Sequence, residues 1–147
     1  MTDARETFPS SRLLMQLGAV LLLGLLTGFA VPLAVLPRMA LASHLEGVMN
    51  GILLIVLGLI WERLTLSAGQ RLFAFWLIIY AAFANWCATL LSAFTGAAAM
   101  MPIAGGGSAG PALLDSVVTV LLLSLSLAIL IGVGLLIYGL RPAKTAP

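Results

Sequence analysis

Charged side chains are what this sequence lacks most. They make up 8% of its 147 residues, whereas a typical soluble domain has about 25%. Hydrophobic residues make up 62% of the chain. A soluble domain of this length buries too small a fraction of its surface to hide so many apolar side chains. The composition therefore excludes a soluble globular protein and indicates one that lies in a lipid bilayer.

Cysteine and histidine are also scarce, since Cys87 and His44 are the only residues of their kinds. A single cysteine excludes an intrachain disulfide, and a single histidine excludes a metal site built from several histidines. The chain also lacks a phosphate-binding loop, a dinucleotide fingerprint, a zinc-ligand pair and a nucleophile elbow. We therefore expect no nicotinamide cofactor and no nucleic-acid partner. One histidine is still sufficient to supply a single axial ligand to haem.

Four long apolar segments are present, each with the roughly 20 residues that a helix needs to cross a bilayer. Backbone polar groups must be paired internally in the hydrocarbon layer, so these segments should be helices. They cover residues 13–36, 41–61, 72–94 and 112–140. We predict an all-α, integral membrane four-helix bundle that forms a single domain over residues 1–147.

The basic residues predict the orientation of this bundle. With four spans, both termini and the second connection lie on the same side of the membrane. Arg38 is the only basic residue on the other side. The first side carries Arg5, Arg12, Arg63, Arg71, Arg141 and Lys144. Because basic residues concentrate on the cytoplasmic side, both termini should be cytoplasmic and the membrane a bacterial-type inner membrane.

Polar residues within the second and third spans are candidates for function, because they are costly in lipid. At 1.5 Å per residue, Asn50 lies about 18 Å from the cytoplasmic end of its helix, and Asn85 lies about 21 Å from the end of the next. His44 and Thr89 share a second level by the same count, and Glu46 lies close to it. Antiparallel helices should therefore bring these five residues into one layer.

The helical phase of the second span separates two groups of residues. At about 100° per residue, Gly47 and Gly51 share a face with His44, whereas Glu46 and Asn50 lie together on a different face. The histidine therefore projects beside a strip that has almost no side chains. Such a strip could hold a flat ligand such as a porphyrin, with the imidazole reaching its metal.

Each of these features also has a purely structural interpretation. The glycine pair is a small-xxx-small pattern that lets two helices approach closely, as is the pair Gly24 and Gly28 in the first span. The two asparagines could bond to each other across the helices. The histidine and Glu46 could lie in the headgroup region without a role. Cys87 is best explained as a small apolar filler.

The stretch SHLEGVMNG, followed by ANW in the next span, resembles the hydroxylaminobenzene mutase family and the related styrene oxide isomerases. The shared frame places His44 at the start of the second helix, Asn50 and Gly51 after it, and Asn85 in the third helix. The surrounding PRMALASHLEGVMNGILLIVLGLIW is especially similar to the mutases. The resemblance covers the first three helices, and the fourth matches by hydropathy alone.

This resemblance implies haem b at the subunit interfaces of a homotrimer, with His44 as the axial ligand of the iron. It also implies an isomerase whose iron acts as a Lewis acid. The styrene oxide isomerases place an Asp and a Tyr in the third helix where this chain has Ala81 and Thr89. That difference favours a mutase, which would convert an arylhydroxylamine such as hydroxylaminobenzene to an aminophenol.

In such a mutase the candidate catalytic residues are Asn50, Asn85 and Glu46, and the candidate haem-binding residues are His44, Gly47 and Gly51. The asparagines would orient the substrate or hydrogen-bond the migrating oxygen. The glutamate would shuttle a proton or hold the histidine ring of a neighbouring subunit. The alternatives are an epoxide isomerase similar to styrene oxide isomerase and a haem-binding or small-molecule transport protein without catalysis.

Overall fold

The computed structural model describes residues 9–141 and shows only helices and connections within that range. Four of its stretches are long and apolar enough to cross a membrane, which confirms the prediction of four spanning helices. The α-helices are α1 (Pro9–Leu17), α2 (Val20–Ala30), α3 (Pro37–Ile60), α4 (Ala68–Thr95) and α5 (Ala112–Gly139). Short 3₁₀ turns follow α2 at Val31–Leu33 and α3 at Trp61–Arg63. Arg5 and Lys144, which the predicted orientation also uses, lie outside the described residues.

Local sequence signals explain where the central helices begin and end. Helix α3 starts at Pro37, earlier than hydropathy predicts, because proline is well suited to the first position of a helix. Helix α4 starts with a capping box in which Ser67 and Gln70 bond to each other's backbone N–H groups. It ends at Thr95 and is followed by Gly96, whose φ of 75° is readily adopted by glycine. His44 consequently lies in the second turn of α3.

The helices pack in the order of the chain, with α3 in a central position. Helices α1 and α2 both pack on α3, α3 packs on α4, and α5 packs mainly on α4. The candidate residues of α3 therefore have α2 on one side and α4 on the other.

The first span is interrupted between α1 and α2, which hydropathy does not predict. Helix α1 ends at Leu17, and the chain resumes a helix at Val20. Before the break, Leu14 is fully buried in a cluster with Leu54 and Trp61 near the C-terminal end of α3. The break thus separates a segment that packs on the C-terminal half of α3 from a segment that packs mainly on its N-terminal half.

Helix α2 approaches α3 so closely that the two backbones touch at Gly24. A Cβ atom on Gly24 would lie 2.5 Å from the carbonyl carbon of Gly47 and 2.5 Å from the backbone nitrogen of Val48. Atoms of a helix backbone cannot move aside as the end of a flexible side chain can. The spacing between α2 and α3 therefore depends on the absence of a side chain at this position.

We expect Gly24→Ala to destabilise the protein by about 1–3 kcal/mol, the usual cost of forcing a methyl group into a packed interior. The matched control is Gly134→Ala, because Gly134 lies in α5 with no atom within 4 Å of its added Cβ. Thermal unfolding of the purified variants in one detergent checks the prediction. Equal unfolding midpoints for the two variants would contradict it.

Candidate functional site

His44 is held by a backbone carbonyl of helix α2. Its Nδ1–H donates to the carbonyl oxygen of Gly24 at 2.8 Å. A carbonyl oxygen only accepts hydrogen bonds, so Nδ1 carries a proton, and in the neutral ring Nε2 then has the lone pair. A neutral imidazole with one nitrogen bonded to a backbone carbonyl is the form in which histidine binds metals.

Gly28 provides the space for this imidazole. A Cβ atom on Gly28 would lie 3.0 Å from Nδ1 and 3.2 Å from Cε1 of His44. The ring therefore lies directly against the bare backbone of α2, one turn beyond the carbonyl that holds it. Both contacts place the histidine on the α2 side of α3.

The strip formed by Gly47 and Gly51 is covered by helix α2, which corrects the prediction of an open, flat surface beside His44. A Cβ on Gly47 would collide with the Cα of Gly24, and one on Gly51 would lie 2.5 Å from the backbone nitrogen of Leu21. The small-xxx-small pattern therefore serves close helix packing. The strip lacks side chains because another backbone fills it, so it leaves no room for a flat cofactor.

Glu46 and the two asparagines lie on the other side, between α3 and α4. Asn85 donates a hydrogen bond from Nδ2 to the carboxylate of Glu46. Asn50 donates from Nδ2 to the backbone carbonyl of Ala82 at 3.0 Å. The asparagines therefore bond to other groups and not to each other. Glu46 binds Asn85, and the His44 ring is held by a carbonyl of its own chain, not by a glutamate.

Thr89 and Ala81 do not join this polar layer. The buried Thr89 hydroxyl bonds to backbone carbonyls of its own helix, at 3.0 Å for Asn85 and 3.1 Å for Trp86. Ala81 is buried in a cluster with Leu125 of α5. Within residues 9–141, no hydrogen bond joins the side chain of either position to α3.

The structure thus divides the predicted layer into two centres on one helix. Side chains two positions apart on a helix point in directions that differ by about 200°, so His44 and Glu46 leave α3 on nearly opposite sides. The contacts agree, since His44 bonds to α2 and Glu46 bonds to α4. A small substrate beside His44 of one chain would not lie beside Asn85 of that same chain.

Two residues near this layer have a role that the sequence reasoning missed. The indole N–H of Trp86 donates to the Thr27 hydroxyl at 3.2 Å, which joins α4 to α2. The Thr27 hydroxyl in turn donates to the carbonyl of Leu23 at 2.8 Å. Two features of the sequence could have indicated this contact. Trp86 lies too deep in its span to be a membrane-interface anchor, and Thr27 is a lone threonine in an apolar run.

Comparison with known proteins agrees with this architecture. The styrene oxide isomerase family matches residues 10–141 of the chain. Hydroxylaminobenzene mutase HabB from Ectopseudomonas oleovorans is 50% identical over 144 residues, which cover 97% of this chain and 85% of that protein. Hydroxylaminobenzene mutase HabA from the same organism is 45% identical over 120 residues, 81% of this chain and 89% of the relative. No solved structure matches. The chain therefore belongs to the styrene oxide isomerase family.

Proposed function

We propose that this protein is a membrane-bound mutase that converts arylhydroxylamines, such as hydroxylaminobenzene, into aminophenols. The similarity to two hydroxylaminobenzene mutases over most of the chain is the observation that carries this proposal. The family match also makes epoxide isomerisation a second candidate. The polar groups of the candidate site favour the arylhydroxylamine reaction.

The polar groups between α3 and α4 suit a substrate that donates hydrogen bonds. Asn85 and Asn50 donate to Glu46 and to a backbone carbonyl. Among residues 9–141, no hydrogen bond reaches the second carboxylate oxygen of Glu46 or the amide oxygens of both asparagines. An arylhydroxylamine has N–H and O–H donors for such acceptors, whereas an epoxide has none. Positions 81 and 89 likewise supply no free acidic group for opening an epoxide.

His44 is the residue that would hold a haem iron. Its Nδ1–H bond to Gly24 fixes the ring and leaves the Nε2 lone pair of the neutral imidazole for iron. Within residues 9–141 no group of three or more His, Cys, Asp or Glu side chains could hold a metal ion, so an iron would need ligands from a porphyrin. When bound, haem b would supply a Lewis-acidic iron that polarises the N–O bond.

The remaining wall of the haem site would come from a second copy of the chain. Helix α2 covers the glycine strip, so a porphyrin held by His44 would have to lie on a side of the ring that α2 does not cover. The surface of α3 beside His44 is apolar and exposed at Leu41, Leu45 and Met49. We therefore propose a homo-oligomer, a homotrimer by family resemblance, with haem between subunits.

The reaction itself needs no external reductant or oxidant. The N–O bond of the substrate breaks, and a C–O bond to the ring forms. One hydrogen passes from that ring carbon to nitrogen, so atoms and electrons balance. Asn50, Asn85 and Glu46 would hold the hydroxylamino group by its N–H and O–H donors while oxygen moves.

The proposed setting is the bacterial inner membrane with both termini in the cytoplasm. Four of the described arginines, at positions 12, 63, 71 and 141, lie at the ends of helices that the antiparallel order places on one side. Arg38 lies on the other. This asymmetry supports the orientation, and the bilayer gives direct access to a membrane-soluble aromatic substrate.

We expect the purified protein to convert hydroxylaminobenzene to aminophenol with no added cofactor. In ¹⁸O-labelled water the product should retain the unlabelled oxygen of the substrate, because the hydroxyl group moves within one molecule. Product identity by mass spectrometry checks both points. Styrene oxide serves as the comparison substrate: turnover of styrene oxide alone would replace the proposal with the second candidate, and turnover of neither would refute both.

A further inference from the structure

The side chain of Trp86 crosses the central helix and reaches α2. Its indole N–H bonds to Thr27, which is only 6% exposed. Its Cδ1 would lie 3.0 Å from a Cβ on Gly47, so the indole passes over the bare backbone of α3 at that residue. Gly47 therefore accommodates both the backbone of α2 and the ring that connects α4 to it.

Thr27, which accepts this hydrogen bond, lies in the same turn of α2 as the carbonyl group that holds His44. Gly24, whose carbonyl accepts the His44 Nδ1–H, lies three residues before Thr27. Three residues span about 4.5 Å of a rigid helix, so a rotation or a slide of α2 moves both groups together. The position of the carbonyl is therefore coupled to the bond between Trp86 and Thr27.

Few other directional contacts fix the rotation of α2. Its exposed positions are leucines and a phenylalanine, which make only apolar contacts: Leu22, Leu23, Leu25, Leu26 and Phe29. Apolar contact is non-directional, and in a bilayer it gives helices no hydrophobic drive to associate. Together with the close backbone packing at Gly24, the two hydrogen bonds from α3 and α4 hold the orientation of this helix.

We propose that Trp86 and Thr27 are positioning residues that keep the Gly24 carbonyl against His44 and thereby maintain its Nε2 as a ligand. The part of this proposal that concerns the iron rests on the proposed haem function. The part that concerns the ring proton does not, because it is a property of the protein without cofactor.

The single histidine of the chain makes the ring proton directly measurable. In ¹⁵N-histidine-labelled apoprotein, one pair of ring nitrogens reports on His44 alone, at a fixed pH where the ring is neutral. We expect the wild type to carry its proton on Nδ1. Trp86→Phe and Thr27→Val should each lower the ratio of the Nδ1–H to the Nε2–H tautomer by about fivefold. This is the change in an equilibrium constant that corresponds to the net contribution of one hydrogen bond.

Two matched controls separate this effect from general damage to the fold. Thr27→Ser keeps a hydroxyl and should retain the wild-type ratio. Trp76→Phe alters a tryptophan of the same helix that is 59% exposed and should do the same. Wild-type tautomer ratios in both Trp86→Phe and Thr27→Val would overturn the proposal. So would a shift of equal size in the Trp76→Phe control.

The haem-loaded protein provides the second measurement. Trp86→Phe should weaken haem binding by about fivefold, less than the 10–100-fold typical of a direct partner of a ligand. It should also shift the iron–histidine stretching frequency in resonance Raman spectra. A wild type that binds no haem would refute the proposed cofactor and leave the NMR result as the test of positioning. An unchanged frequency and affinity in Trp86→Phe would refute the positioning role at the iron.

Discussion

His44→Ala should lose haem and, with it, the turnover of hydroxylaminobenzene. The chain has no second histidine that could replace the ligand. Loss of even an indirect partner of a ligand lowers affinity by about 10–100-fold, so loss of the ligand itself should exceed that range. The absorbance of the Soret band per mole of purified protein measures occupancy, and product formation measures activity.

The control for this experiment is Leu59→Ala, which truncates a 66% exposed side chain near the other end of α3 and should leave haem and activity unchanged. Free imidazole added to His44→Ala should restore the Soret band, because the cavity left by the side chain can admit the missing ligand. Full haem occupancy with an unchanged iron spectrum in His44→Ala would refute the ligand assignment.

Mixed oligomers of two inactive variants should regain activity. His44 faces α2, whereas Asn85 and Glu46 face each other between α3 and α4. If the iron ligand of one subunit meets the substrate-binding amides of its neighbour, chains with His44→Ala and chains with Asn85→Ala complement each other. Coexpressed in equal amounts, they should recover about a quarter of wild-type activity. At each head-to-tail interface, one subunit must supply His44 and its neighbour must supply Asn85, and each has a chance of about one half of carrying the intact residue.

The matched control is coexpression of His44→Ala with the double variant His44→Ala/Asn85→Ala. No chain in that mixture supplies a histidine, so it should stay as inactive as the single variants. If the first mixture also stays inactive while mixed oligomers form, both groups act within one chain and the composite site is wrong.

Several parts of this protein were predictable because a bilayer imposes simple rules on sequence. The four spans follow from apolar length alone. The family was recognised from His44, Asn50, Gly51 and Asn85, and the match over residues 10–141 confirms it. Depth counting also predicted that Glu46 would meet the third span, because antiparallel helices of known rise bring equal depths together.

The same rules could not decide what lies next to each face. Depth counting placed His44 and Thr89 on one level, yet Thr89 bonds to its own helix and His44 bonds to α2. A level in the membrane does not specify an angle around the helix axis. The angle determines the neighbour, and it depends on which helices pack side by side.

The sequence by itself determined that this is a membrane protein of four spanning helices, that it has one histidine, and that its family is one of isomerases. Only the tertiary structure decided the role of the glycines, because a strip without side chains suits a flat cofactor and a close helix equally well. The approach of α2 to Gly47 settled that choice in favour of the helix. It also assigned a backbone carbonyl, which no side-chain pattern can reveal, as the partner of His44.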